Sequence, residues 1–122
     1  MALKVLVVDD DSSARRFAEM AVKRAVPDAE VHTAIDGVDA RTKAAEWRPD
    51  AVVLDHMMPK LDGWRYLEEI RKSDWGKRTP VLFYSALDLK RDISRIPCAV
   101  FLQKPSTLDG FVVAFKHVLA MK

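Results

Sequence analysis

The stretch Val5-Leu6-Val7-Val8-Asp9-Asp10-Asp11-Ser12 begins as a continuously apolar run and ends in acidic residues. An apolar run this short, without alternating polar residues, is typical of a strand covered on both faces of a parallel sheet. The next apolar side chains recur at helical spacing, at Ala14, Phe17, Ala18, Ala21, Val22 and Ala25. Asp11 or Ser12 can cap this helix, and Pro27 follows its end. The stretch therefore predicts a buried strand that passes directly into a helix, with acidic side chains at the junction.

The same alternation of strand and helix continues along the chain. The predicted strands are Leu3–Val8, Ala29–Ala34, Ala51–Leu54, Val81–Tyr84 and Ala99–Leu102. Further helices are predicted over Gly37–Trp47, Leu61–Lys72 and Thr107–Ala120. The charged segment 87–96, closed by Pro97, allows at most about two helical turns. This order predicts a (βα)₅ fold, which is an α/β domain with a parallel sheet and right-handed crossovers.

Composition and charge exclude several classes of protein. The chain has 122 residues, 49% hydrophobic and 31% charged, which suits a single globular domain with a buried core. Its apolar runs are too short to cross a membrane, and its start lacks the layout of a signal peptide. The single cysteine, Cys98, favours a reducing cytoplasm. The net charge is only +2 and the basic residues are scattered, so nucleic acid is not an expected partner.

Charged or hydroxyl side chains follow four of the predicted strands. They are Asp9 and Asp10 after the first, Asp55 after the third, Ser85 after the fourth and Lys104 after the fifth. Because the carboxyl ends of parallel strands meet at one edge of the sheet, we expect these groups to form one site. Three gathered carboxylates would repel one another, so they imply a divalent cation, with the lysine as a further compensating charge.

Together these motifs resemble the receiver domain of two-component response regulators, and the resemblance extends over the whole chain, residues 1–122. The matching segments, in chain order, are Val5–Asp10, Pro49–Asp55, Met57–Pro59, Asp62–Gly63, Thr79–Ala86 and Phe101–Pro105. One acidic pair or one Lys-Pro pair carries no information, but the full series in order, each at a strand end, is specific. The resemblance implies a flavodoxin-like, doubly wound sheet with the strand order 2-1-3-4-5.

The resemblance also implies a chemical role for the acidic residues. Asp55 would be the phosphoacceptor, which attacks phosphorus and becomes an acyl phosphate. Asp10, Asp55 and the backbone carbonyl of Met57 would bind Mg²⁺ directly, and Asp9 would act through a metal-bound water. Mg²⁺ suits such a site because it takes few carboxylates, keeps waters and bridges to phosphoryl oxygens.

The remaining implied roles concern the response to phosphorylation. Ser85 would hydrogen-bond a phosphoryl oxygen, and Lys104 would stabilise charge on the transferring group. Phe101 matches the switch aromatic, whose burial changes as Ser85 moves. The Lys104-Pro105 peptide is expected to be cis. The implied donor is a phosphohistidine on a histidine kinase or a histidine phosphotransfer protein, and the implied output is an unidentified downstream protein target.

Two departures from the family pattern modify these expectations. The segment from Ser85 to Lys104 is a few residues shorter than usual, so the fourth helix is expected to be short, displaced or partly unwound. Met57 and Leu87 are apolar at positions that often carry polar groups, which orient a hydrolytic water. Because neither side chain can activate water, slow self-dephosphorylation is expected. The resemblance as a whole implies that the protein accepts a phosphoryl group and is not a conventional enzyme.

Two other functions stay open on the residues alone. A Mg²⁺-dependent phosphohydrolase of the haloacid-dehalogenase class also forms an aspartyl phosphate, and Asp9-Asp10-Asp11 has the D-x-D spacing of its first motif. That class needs a further acidic pair after its lysine, however, and only Asp109 follows Lys104. The other alternative is an interaction domain that keeps the fold but works without phosphorylation. His56, next to Asp55, is expected to be structural and not a metal ligand.

Overall fold

The computed structural model describes residues 2–121 and consists of one parallel five-stranded sheet with helices on both faces. The strands are β1 (Lys4–Val8), β2 (Glu30–Ala34), β3 (Ala51–Leu54), β4 (Val81–Ser85) and β5 (Ala99–Gln103). The helices are α1 (Ser12–Ala25), α2 (Gly37–Trp47), α3 (Gly63–Lys72), α4 (Lys90–Ile93) and α5 (Leu108–Leu119). The strand order is β2-β1-β3-β4-β5, which confirms the predicted flavodoxin-like topology.

The sheet divides the hydrophobic core into two layers. Leu6, Leu54 and Phe83 point to the layer that α2, α3 and α4 cover, and Val5 and Val53 point to the layer beneath α1 and α5. Every residue of β3 and β4 is buried, as the continuously apolar runs predict. β2 lies at an edge of the sheet and alternates between exposed and more buried positions.

The register of β1 brings the carboxyl ends of the central strands level. Val8 lies opposite Ala34 on one side and Leu54 on the other. The next residues, Asp9 and Asp55, therefore leave the sheet side by side. This alignment carries the predicted site residues to one edge.

Side-chain caps fix where four of the helices begin. The caps are Asp11 for α1, Asp36 for α2, Asp62 for α3 and Thr107 for α5, and each accepts a backbone N–H three residues further on. Since Asp62 is the cap, α3 begins two residues later than the predicted start at Leu61. α5 likewise begins at Leu108, after the threonine. The longest of these helices has 14 residues, and no helix within 2–121 has the length and hydropathy to span a bilayer.

The fourth helix is a single turn, which confirms the expectation of a short α4. Ile93 anchors this turn in the core, and the chain then reaches β5 through turns, with Cys98 in the left-handed region at φ 58°. Arg71 holds this connection in place, because its guanidinium donates to the carbonyl oxygens of Pro97 at 2.7 Å and Cys98 at 3.1 Å. The same group donates to two carbonyls before β4, so α3 is tied to both loops.

Candidate functional site

Three aspartates converge at the carboxyl edge of the sheet. One carboxylate oxygen from each of Asp9, Asp10 and Asp55 lies within 4.8 Å of the others. Asp9 and Asp55 are buried, with 4% and 6% of their surface exposed, whereas Asp10 is exposed. The predicted acidic cluster is therefore assembled, with one side open to solvent.

Backbone hydrogen bonds set the positions of the two buried carboxylates. The N–H of Asp55 donates to the Val8 carbonyl at 3.0 Å, and the N–H of Asp9 donates to the Ala34 carbonyl at 3.1 Å. Both residues thus extend the ladders of the central strands. Arg15, on the first turns of α1, donates to the Asp9 carbonyl at 2.8 Å. Nothing in the sequence marks this contact in advance, because Arg15 belongs to one of several scattered basic pairs.

Lys104 supplies the positive charge that contacts the carboxylates directly. Its ammonium group donates to Asp9 Oδ2 at 2.6 Å and to Asp55 Oδ2 at 3.4 Å. It also lies 5.3 Å from the centre of the Tyr84 ring. The Lys104-Pro105 peptide is cis, as predicted. Burial by itself lowers the pKa of the lysine, but the two carboxylates outweigh this effect, so its pKa lies above the ordinary value.

The electrostatics of the cluster leave a negative excess. Burial, together with the charge of Asp9, raises the pKa of Asp55 above its ordinary value, against the opposing effect of Lys104. Three carboxylates and one ammonium sum to a formal charge of −2 when all are ionised. A divalent cation with a preference for oxygen ligands matches both the charge and the donor set. The residues therefore fit a divalent metal site.

Ser85 and two apolar residues border Asp55. Ser85 is fully buried, and its hydroxyl oxygen accepts the N–H of Leu87 at 3.4 Å. Its hydroxyl group also acts as a hydrogen-bond donor toward the Asp55 carboxylate. The Met57 N–H donates to Asp55 Oδ1 at 3.4 Å, while the Met57 and Leu87 side chains are 56% and 42% exposed. Apolar groups thus flank the opening of the site.

Phe101 and His56 both lie outside the acidic cluster. Phe101 is partly buried, sits opposite Phe83 in the sheet and packs on the core layer beneath α4. The ring of His56 lies 6.1 Å from that of Phe83, and its Nδ1 accepts the Trp64 N–H at 3.4 Å. The contacts of His56 are thus with the start of α3 and with the core, which agrees with the expected structural role.

Gly63 brings α3 close to the acidic site. A Cβ added there would overlap the carbonyl oxygen of Asp55 and approach the Cα of His56 within 2.8 Å. Only glycine allows the start of α3 to lie this close to the backbone after β3. The Asp62-Gly63 pair is visible in the sequence, but this close approach depends on tertiary packing.

Comparison with known proteins agrees with this geometry. A family model described as response regulator receiver domain matches residues 5–116. The chain belongs to the response regulator receiver family. Members of this family are phosphoacceptor modules of two-component signalling.

The receiver domain has curated relatives of different lengths. It is 38% identical over 120 residues to protein PilG of Pseudomonas aeruginosa, covering 95% of this chain and 87% of PilG. It is 38% identical over 119 residues to the transcriptional regulatory protein PrrA of Mycobacterium leprae, covering 95% of this chain but 49% of PrrA. With the response regulator MprA of Mycobacterium bovis, it shares 32% identity over 98% of this chain and 51% of MprA. The chain thus spans most of PilG and about half of PrrA and MprA.

Solved structures show the same fold. The chemotaxis response regulator CheY4 of Vibrio cholerae superposes with a TM-score of 0.85 at 28% identity, covering 97% of the receiver domain and 99% of CheY4. The receiver domain of the Francisella response regulator 1452 gives a TM-score of 0.80 at 29% identity, covering 97% of each chain. The present chain therefore shares the fold of these two proteins over nearly its whole length.

Proposed function

We propose that residues 1–122 act as one receiver domain in which Asp55 accepts a phosphoryl group and thereby switches a protein-interaction surface. The donor is a phosphohistidine on a histidine kinase or a histidine phosphotransfer protein. The switched surface then contacts a downstream protein target. A cytoplasmic location remains a prediction from the sequence.

One observation favours Asp55 over Asp9 as the nucleophile. Both carboxylate oxygens of Asp9 are engaged, since Oδ1 accepts the Asp11 N–H at 3.0 Å and Oδ2 accepts Lys104 at 2.6 Å. The contacts of Asp55 to Met57 and Lys104 are both 3.4 Å long. A carboxylate with longer hydrogen bonds keeps more electron density for attack, which supports the receiver reaction over the hydrolase alternative.

Mg²⁺ is the cation we assign to the acidic cluster. Asp10, Asp55 and the Met57 carbonyl would bind it directly, and Asp9 would act through water. When bound, it neutralises charge on the phosphoryl oxygens during transfer. The exposure of Asp10 leaves a route by which the cation and the donor reach Asp55.

The reaction forms one bond and breaks one bond. An Asp55 oxygen attacks phosphorus, the P–N bond to the donor imidazole breaks, and the imidazole keeps the electron pair and takes a proton from water. Lys104 then pairs with a phosphoryl oxygen, which replaces part of its contact with the buried carboxylates. The Ser85 hydroxyl, which faces Asp55 before the reaction, donates to another phosphoryl oxygen. Movement of Ser85 toward that oxygen opens space next to Phe101, whose ring repacks.

Intact mass spectrometry tests this function. Wild type and Asp55→Asn are incubated with a small phosphoramidate donor, with and without Mg²⁺. One added phosphoryl group on wild type alone, and only with Mg²⁺, is the expected result. No adduct on wild type in the presence of Mg²⁺ would favour an interaction domain that works without phosphorylation.

A further inference from the structure

An apolar groove lies between α3 and the chain that follows the single turn of α4. We define this α3 groove by its lining residues: Trp64, Leu67, Glu68, Arg71, Lys72 and Ile96. The turn of α4 packs on β5 and has few contacts with α3. Trp64 and Ile96 are therefore only partly buried. Both side chains pack against the core layer that α2, α3 and α4 cover.

The dimensions of the α3 groove suit a single large side chain. Its volume is about 210 Å³, which is below the range of roughly 300–1,000 Å³ that is usual for small-molecule sites. An apolar pocket of this size fits an anchor such as Phe or Leu from a protein partner, because such anchors carry much of the binding energy of an interface.

Arg71 makes the α3 groove rigid. Its four hydrogen bonds to backbone carbonyls, at 2.7–3.1 Å, fix the connection that carries Ile96 against α3. A preformed pocket requires little ordering when a ligand binds, so more of the contact energy contributes to affinity.

The charges at the rim specify the partner. Lys72 lines the groove and Arg95 adjoins Ile96, and both are exposed. Within residues 2–121, neither of these two cations nor Arg71 forms an ion pair with a carboxylate. Glu68 is the single carboxylate among the described lining residues. The lining residues Arg71, Lys72 and Glu68 sum to a formal charge of +1, and Arg95 adds a further positive charge beside the groove.

We propose that the α3 groove binds an acidic segment of a partner protein, which inserts one bulky apolar side chain between Trp64 and Ile96. Acidic residues on either side of that anchor face Lys72 and Arg95. Opposite charges across the rim speed association and exclude basic segments. This binding does not depend on phosphorylation of Asp55, so failure of the receiver reaction would leave the proposal intact.

The test uses a phage-displayed library of random peptides, about twelve residues long, selected on the unphosphorylated full chain. The expected consensus has one Phe, Trp or Leu and a net negative charge. A selected peptide is expected to shift the NMR signals of the Trp64 indole and the Ile96 methyl groups. Ile96→Asp is expected to weaken its binding more than about tenfold, because it places a carboxylate in the apolar pocket.

Two further variants control this experiment. Lys72→Glu changes only an exposed charge. We expect it to weaken binding of the acidic peptide several-fold without affecting folding. Val113→Asp, on the exposed face of α5, is expected to leave binding unchanged. A basic consensus, peptide shifts outside the α3 groove, or equal binding to wild type and Lys72→Glu would overturn the proposal. Concentration-dependent Trp64 shifts without peptide would also overturn it, because they would identify a second copy of this chain as the occupant.

Discussion

Lys104 donates a 2.6 Å hydrogen bond to Asp9, a residue 95 positions earlier in the chain. This bond joins the end of β1 to the residue after β5, across the ends of the two intervening strands, β3 and β4. It compensates one carboxylate of the acidic cluster directly and approaches Asp55 less closely, at 3.4 Å. One ammonium group is thus shared unevenly between two aspartates.

Lys104→Ala removes the only ammonium hydrogen-bonded to the cluster among the described residues. Without metal, we expect a loss of about 2 kcal/mol in unfolding free energy, because two buried carboxylates lose their charged partner. We expect Mg²⁺ affinity to be retained or increased, since the cluster becomes more negative. Mg²⁺ titration followed by tryptophan fluorescence, together with urea unfolding, measures both effects.

Asp10→Asn is the matched control for this experiment. It removes an exposed carboxylate, so we expect weaker Mg²⁺ binding with little change in metal-free stability. If Lys104→Ala instead lost Mg²⁺ affinity as Asp10→Asn does, the lysine would have to be reassigned as part of the metal site.

Asp55→Asn tests the electrostatic strain at the acceptor. The raised pKa of Asp55 means that the folded state holds this proton to a higher pH than the unfolded state does. The carboxylate therefore reduces stability as pH rises through the folded-state pKa. Without metal, we expect the unfolding free energy of the variant to exceed that of wild type by on the order of 1 kcal/mol at pH 7. Near pH 4 we expect the two unfolding free energies to be equal.

Urea unfolding of both proteins at pH 7 and near pH 4 measures this difference in unfolding free energy and its sign. A variant that is less stable than wild type at pH 7 would mean that the contact with Lys104 outweighs burial and repulsion by Asp9.

Met57→Asn combined with Leu87→Glu tests the predicted slow hydrolysis. Both native side chains are exposed beside the site and cannot orient water. Polar replacements can hydrogen-bond a water in line with the acyl phosphate, so we expect self-dephosphorylation to become about tenfold faster. The decay of the phosphorylated mass over time gives the rate. An unchanged rate would show that the apolar pair does not control hydrolysis.

Gly63→Ala tests the close approach of α3 to the acceptor. Because the added Cβ would overlap the Asp55 carbonyl oxygen, we expect the unfolding free energy to fall by at least about 2 kcal/mol. We also expect less phosphorylation of Asp55. Gly110→Ala, where the nearest atom is the Thr107 hydroxyl at 3.0 Å, is the control and is expected to change stability by less than about 1 kcal/mol. Thermal unfolding and intact mass report the two effects. Equal losses in both variants would refute a special constraint at Gly63.

The sequence predicts the sheet and the composition of the acidic cluster well, because both depend on local patterns. Apolar runs of strand length lead to Asp9, Asp55 and Ser85, and parallel topology then places their ends together. Asp62 explains the main error in the helix boundaries: the helical pattern includes Leu61, but the hydrogen bond of the cap decides where α3 begins.

Features that depend on long-range contacts could not be predicted. In the sequence, Arg71 cannot be distinguished from the other charged residues of α3. In the fold, it donates hydrogen bonds to the loops before β4 and β5 and holds them in place. The α3 groove follows from this arrangement and from the single turn of α4, and the sequence indicated only that the helix would be short. The sharing of Lys104 between Asp9 and Asp55 likewise depends on the folded geometry.

The most direct test is to locate the phosphoryl group itself. Borohydride reduces an aspartyl phosphate to homoserine, which marks the acceptor in peptide mass spectra after Mg²⁺-dependent phosphorylation. We expect homoserine at position 55 in wild type and none in Asp55→Asn. Homoserine at position 9 would contradict the account, because it would make Asp9 the nucleophile and favour the phosphohydrolase reaction.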